Sequence, residues 1–510
     1  MSADPVFAHG VASADPTPDA VVLWTRVSGA TGDVRVGWRV ATRPELDQVV
    51  RSGEAVAGAD ADHTVKVDVH GLDPSTTYFY AFEANGHRSP VGRTRTAPRG
   101  HTDNLRLAVV SCASWAHGFF NAYRHVAERD VDLVVHVGDY LYENAGAGRR
   151  SVRAHVPAHR LRTLGDYRAR HAQYRSDPDL QRLHQQHPVV AVWDDHEIAG
   201  NTWRDGAADH DPTRDGDWER RRAAAVRAYL EWVPLRLPDP VDPHRIWRSF
   251  AFGDLAQLAM LDTRLAGRDR PLARGERAVL TVGDRRRSLL GSAQREWLRE
   301  ELRSSTARWH LVGNQVMMAP LRVLEVPPPL RRLLGGLVAG GVGVNAGQWD
   351  GYPEERASLF GFLAEEGIGN VVVLTGDVHS SWAGELTLQP DDGGGVVGVE
   401  FVTPSVTAPS FVRTVAPPLP GVRAVLPRIV ARQNPHLRFF DLEGHGYVEV
   451  DVDAERVRAE WWHVDGVGRR RPGERLVAGW EVRDGAARLH PVQGPLPARR
   501  HVPPPAPAER

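Results

Sequence analysis

The sequence predicts an α/β protein with a small β domain in front of it. Three observations lead there. Four short apolar runs each end in residues that bind metals, helical spacing fills the stretches between them, and residues 5–97 instead alternate apolar and polar positions between turns.

In the first region, Val21–Val27, Val34–Thr42, His63–Leu72, Thr76–Ala84 and a piece near Val91–Thr96 read as short strands of a β-sandwich. Thr96–Asn104 reads as a linker. A second domain then spans 105–490, and the proline-rich stretch 491–510 reads as a disordered or surface-draped tail.

The four runs are Leu105–Val110, Val131–Val137, Pro188–Trp193 and Asn370–Thr375. Nearly continuous Val and Leu mark strands covered on both faces. Each run stops at chemistry: Ser111-Cys112, Gly138-Asp139, Asp194-Asp195-His196-Glu197, and Gly376-Asp377-Val378-His379. If the four are neighbours in one sheet, these side chains converge on its carboxyl edge, where open α/β sheets bind ligands.

Between the runs, helices are expected over Phe119–Glu128, Leu164–Leu183, Asp217–Trp232, Ser292–Thr306 with a serine cap, and Gly351–Ile368. Trp247–Arg264 reads as a strand hairpin, Arg308–Pro320 as a strand entering a loop, and Val396–Thr403 and His445–Val452 as late strands. Ala319–Asp350, rich in Pro and Gly, reads as a long excursion at the rim.

The chain has 510 residues, 42% of them hydrophobic and 25% charged, with a net charge of -1. That composition allows a large core, and no charge imbalance points to nucleic acid or an acidic membrane. Lys66 is the only lysine, which we read as compositional bias. Cys112 is the only cysteine, so no disulfide forms within the chain. The N-terminus lacks a basic segment followed by an apolar core, and no apolar run reaches bilayer length.

The strand ends define a donor set. Asp139 and Tyr142 are three residues apart and fall on one side of a single turn. A phenolate beside a carboxylate suits a hard trivalent ion such as Fe(III). Cys112 adds a thiolate and His379 an imidazole. Asp377 and Asp195 remain as oxygen donors for a divalent ion such as Ca, Mg or Mn, with Asp139 able to bridge the two ions. Of the adjacent Asp194 and Asp195, only one is expected to face the metals; we choose Asp195, leaving Asp194 to cap or support. A metal pair of this kind polarises a phosphoryl group and makes hydroxide at neutral pH.

At this point the residues resemble a family. FAHGVASADPTPDAVVLWTRV, SCAS, GDYLYE, WDDHE, LDTR, QREWL, GNQ and GDVHSSW, in that order, are similar to the motifs of the alkaline phosphatase D (PhoD-like) metallophosphatases. The resemblance covers nearly the whole chain. It implies a calcineurin-like core, a β-sandwich flanked by helices, behind an N-terminal domain like fibronectin type III. That family also resembles the purple acid phosphatases, with a cysteine where those carry an aspartate.

The resemblance implies roles as well. Cys112, Asp139, Tyr142 and His379 would hold Fe(III). Asp139, Asp195 and Asp377 would hold one or two Ca ions, with Mg, Mn or Zn as substitutes. Asn314 stands where relatives carry a ligand to the second metal. His196 would steer phosphate and protonate the leaving oxygen, and Arg264 would grip phosphate oxygens. The implied enzyme is an alkaline phosphatase or phosphodiesterase in which a metal-bridging hydroxide attacks phosphorus in line. A monomer is expected, and export to the periplasm, cell wall or medium is implied, although the chain shows no export signal and a cytoplasmic enzyme stays open. Two departures touch the rim: IAGNTW offers only Asn201 after WDDHE, and LAGRDR follows LDTR.

Other readings stand beside this one. Cys112 alone is a small buried apolar residue, Asp139 alone a helix cap, and Tyr142 alone a core aromatic. Tyr140 reads as packing, and Trp203, Trp349 and Trp382 as cleft walls or packing. His184, His187 and His210 lack strand-end placement. The functional alternatives are a surface-polymer binding protein with a relic core, and a two-zinc hydrolase of non-phosphate esters.

Overall fold

The structure is a computed structural model and describes residues 5–146, 148, 151–271, 287–324, 342–343, 347–389, 394–410, 420–471, 473–499 and 502–508. Most of the rim excursion expected over Ala319–Asp350 lies outside these residues.

Three of the four apolar strands are parallel neighbours. Asn104–Val110, Leu133–His136 and Pro188–Ala191 pair in that order at the centre of a sheet of ten described strands. The fourth, Val371–Thr375, does not join them. It lies in a second sheet of seven described strands, parallel to Trp309–Asn314 and Gly394–Val402. The single-sheet expectation is therefore corrected: the strand ends converge across two sheets. The apolar runs look alike because each is buried on both faces, so periodicity could not say which sheet owns which strand. The sheets meet where Thr403 Oγ1 donates to the Val109 carbonyl at 2.9 Å, and at a parallel bridge from Ser111 to Ser405.

The N-terminal region is less separate than its composition suggests. Val11–Ala14 pairs in parallel with Pro188–Ala191, and Ala20–Arg26 and Thr64–His70 extend the ten-stranded sheet beyond it. Its other strands, among them Val34–Ala41, Val49–Ala57 and Thr77–Ala84, form a second layer. Strand pairing thus crosses the expected boundary and covers the edge that Pro188–Ala191 would otherwise expose.

Helices pack on both sheets. The helix expected over Leu164–Leu183 is two, Leu164–Arg175 and Pro178–Gln186. Asp177 caps the second and Pro178 opens it, so the chain breaks where proline lacks an N–H. Trp218–Trp232 begins at its Asp217 cap as expected. The helix Gly291–Ser304 has no side-chain cap, so Ser292 is not its cap; instead Ser288 Oγ accepts from the Gly291 N–H at 2.8 Å. Pro353–Glu365 feeds the fourth apolar strand, Val371–Thr375. The hairpin is Arg248–Phe252 with Ala256–Met260.

The late region holds more structure than its sequence shows. Gly394–Val402 and Gly446–Asp453 match the expected strands. Ser381–Gln389, Leu437–Asp441, Arg456–Val464, Glu474–Arg483, Ala486–Val492 and the helix Pro420–Gln433 were not expected. The tail is docked where described. Arg499 pairs with Asp132 at 2.5 Å, and buried Ala506 exchanges hydrogen bonds with the Gln186 amide.

Candidate metal centre

The loops after the strands are strained. Cys112, Asp139, Asp377 and His379 all have left-handed backbone, with φ of 60°, 56°, 58° and 51°. None is glycine, and each such residue costs about 1–3 kcal/mol. Neighbouring contacts hold them there. The Cys112 N–H donates to the Gly138 carbonyl at 3.2 Å and the Ala113 N–H to the Asp139 carbonyl at 2.9 Å, which staples the first two loops. Gly138 has φ 104°, and a Cβ there would stand 2.4 Å from Asp194 Cβ. A Cβ at Gly376 would stand 2.6 Å from Ser111 Oγ, so glycine lets the two sheets close at this point.

These turns bring the expected donors together. Donor atoms of Cys112, Asp139 and His379 lie within 4.8 Å of one another. So do those of Asp139, Asp195 and His196, and those of Asp194, Asp195 and Asp377. The Tyr142 hydroxyl donates to Asp139 Oδ2 at 2.8 Å and stands 3.1 Å from His379 Nε2. Asp139 is thus shared between a thiol–phenol–imidazole group and a carboxylate group. Cys112, Asp139, Tyr142 and Asp195 are buried, whereas His196, Asp377 and His379 are partly exposed and form the mouth.

The residues present fit cations. Asp195 Oδ1 is buried without a hydrogen-bond partner, with only the Arg264 guanidinium near it at 3.4 Å, so it keeps lone pairs for a cation. Burial pushes the Asp139 carboxyl well above its usual range, and the charges of Asp195, Glu197 and Asp377 add to this against the pull of His196. Burial, and then the charge of Asp139, push the Cys112 thiol up. Burial keeps His379 neutral, the form that ligates. A buried set of this kind is electrostatically unfavourable alone and becomes favourable around metal ions.

Supporting residues that sequence reasoning missed hold the site. Glu197 accepts N–H bonds from Asp139 at 3.1 Å, Tyr140 at 2.6 Å and Asp194 at 2.8 Å, and so clamps two loops at once. Glu143 accepts from His196 Nδ1 at 2.7 Å and from the Gly200 N–H at 2.9 Å. Burial disfavours the His196 cation, but Glu143, Asp195 and Asp139 outweigh that and hold its pKa well above the usual value. Gln348 donates from Nε2 to Asp377 Oδ2. Glu143 and Glu197 stand inside GDYLYE and WDDHE, so their motifs were in view; Gln348 carried no signal.

Three expectations change. Asp194 faces the site together with Asp195, because the strand ends at Ala191 and the chain is no longer extended at the pair. Arg264 is buried and grips a carboxylate: Nε and Nη2 both donate to Asp194, and Nη2 reaches Asp377 Oδ1 at 2.6 Å. Both amide atoms of Asn314 are engaged away from the acids, Oδ1 accepting from Trp349 Nε1 at 3.3 Å and Nδ2 donating to Val316 O and to Thr375 Oγ1. Trp349 and Trp382 are fully buried packing, while Trp203 is half-buried. Tyr140 packs inward as expected.

A two-sheet core with a thiol, phenol, imidazole and four aspartates at its crossing edges defines a metal-dependent phosphoesterase. A family model described as PhoD-like phosphatase matches residues 107–461, and the N-terminal domain model of the same family matches residues 1–98. The chain belongs to the PhoD-like phosphatase family. It is 35% identical over 476 residues to alkaline phosphatase D of Bacillus subtilis (strain 168), across 89% of this chain and 77% of that protein. A solved structure described as that of PhoD superposes with a TM-score of 0.82 at 32% identity, covering 97% of this chain and 94% of the other. No helix among the described residues is long and apolar enough to cross a membrane.

Proposed function

We propose that the enzyme holds Fe(III) between Cys112, Asp139, Tyr142 and His379, and one or two divalent ions, with Ca the first choice, among Asp139, Asp195 and Asp377, while Arg264 holds both oxygens of Asp194. The substrate is a phosphomonoester, a phosphodiester or both. The observation that carries this reading is the shared Asp139. Its carboxylate touches the Tyr142 phenol on one side and stands within 4.8 Å of Asp195 and His196 donors on the other.

When bound, the ions supply Lewis acidity toward phosphoryl oxygens and an activated water for in-line attack. The chain supplies the rest. His196 stands at the mouth with Nδ1 held by Glu143, which leaves Nε2 to meet the leaving oxygen and give it a proton. The ring of Tyr142 lies 4.2 Å from that of His196 and fixes its plane. Arg264, itself buried, pairs with Asp194 and Asp377 and offsets their charge. We read the enzyme as exported, a reading supported by family membership, and cell fractionation tests it.

Elemental analysis of purified protein, with turnover of nitrophenyl phosphate and bis-nitrophenyl phosphate, tests the proposal. Bound iron with calcium and activity on either ester support it. Protein that binds neither metal and stays inert after reconstitution overturns it.

A further inference from the structure

The layer between the sheet of ten described strands and its helices contains an arginine with no carboxylate partner among the described residues. Arg175 ends the helix Leu164–Arg175 and is fully buried. The Tyr140 hydroxyl is the polar group beside its guanidinium, no hydrogen bond of good geometry reaches any of the three nitrogens, and no carboxylate of the described residues forms an ion pair with it. The face of Trp24 covers it, with the ring centroid 4.4 Å away. The other fully buried arginines differ. Arg170 donates to four backbone carbonyls, Arg221 to the Leu161 and Asp209 carbonyls, Arg268 to the Thr263 and Gly347 carbonyls, and Arg264 to two aspartates.

The polar neighbours of Arg175 are neutral. His171, one turn earlier, is fully buried with both ring nitrogens unpartnered. His184 meets the Tyr140 hydroxyl through Nε2 at 3.0 Å, and its Nδ1 is unpartnered. Burial, then the charge of Arg175, drive His171 down to about 3 and His184 well below its usual value. Both imidazoles are therefore uncharged at neutral pH and still carry one N–H each.

A guanidinium does not give up its proton in a protein, and an isolated charge in a dry interior costs more than the whole net stability of a fold. The Trp24 face and the Tyr140 hydroxyl offset part of this cost, and no carboxylate of the described residues supplies the rest. We propose that Arg175 binds a small monovalent anion of halide size, with the N–H groups of His171 and His184 as further donors. The uncharged imidazoles beside Arg175 favour a monovalent anion over a polyvalent one, and its full burial under Trp24 favours a small one. The site lies outside the metal centre and takes no part in the hydrolysis.

Bromide is the probe. In crystals of the metal-loaded enzyme grown in sodium bromide, an anomalous peak beside the Arg175 guanidinium is expected. At equal ionic strength, the Tm in chloride is expected to exceed that in gluconate, which is too large to enter, by about 2 °C or more. The Arg175→Met protein is expected to lose both the peak and the salt effect. Absence of a bromide peak at Arg175, with ordered water in its place, overturns the proposal whatever the Tm does. If Arg175→Met does not fold, the bromide map of the unaltered enzyme decides alone.

Discussion

Tyr142 and His196 stack with ring centroids 4.2 Å apart and planes tilted by 31°. One ring carries the phenol on Asp139; the other carries the nitrogen held by Glu143. The residue proposed for the iron and the residue proposed for proton transfer therefore brace each other.

Replacing His196 with Asn removes the proton donor. General acid catalysis contributes roughly 10²–10⁴-fold. The loss in kcat is expected to reach that range for an alkyl phosphate and to stay under about tenfold for nitrophenyl phosphate, whose leaving group needs no proton. Equal losses on both substrates would contradict the role. Glu143→Gln keeps an acceptor for Nδ1 but loses the charge, so a smaller loss with the same leaving-group dependence is expected.

Arg264→Met leaves the buried Asp194 carboxylate unpaired. Breaking a buried pair by removing one partner costs about 3–5 kcal/mol, and the two side chains here are 2% and 1% exposed. Urea unfolding at fixed metal concentration checks this. Asp194→Asn added to Arg264→Met is expected to recover part of the loss, because the charge left behind is then gone.

Gly138→Ala places a Cβ 2.4 Å from Asp194 Cβ and 2.8 Å from its amide nitrogen, at a φ of 104°. Overpacking costs about 1–3 kcal/mol, and the forbidden φ adds to it. Because the clash joins two metal-bearing loops, metal content is expected to fall together with the unfolding midpoint. A variant that keeps full metal occupancy and stability would contradict this account of the turn.

The centre was legible where sequence and backbone coincide. The apolar strands Leu133–His136 and Val371–Thr375 are hidden from solvent, and their runs stop at Gly138 and Gly376. Asp139 and Asp377 therefore announced themselves, and Cys112 and His379 followed from strand-end placement. Sheet membership was not legible. Nothing in the Val371–Thr375 run distinguishes it from Leu133–His136, and nothing in Ser13 foretells its pairing with Pro188. Arg456–Val464 hid because buried Arg458 and Glu460 neutralise each other inside a strand that reads as polar. Arg264 was read by its chemistry alone, since guanidinium forks fit phosphate and carboxylate equally well, and only the fold shows that Asp194 takes it.

The account turns on sulfur from Cys112 meeting the same ion as Asp139, Tyr142 and His379. X-ray absorption at the iron edge, on the unaltered enzyme and on Cys112→Ser, measures this directly. We expect iron with a sulfur neighbour in the first protein and loss of that neighbour, with depleted iron and faded colour, in the second. Identical iron content and identical spectra in the two proteins would contradict it.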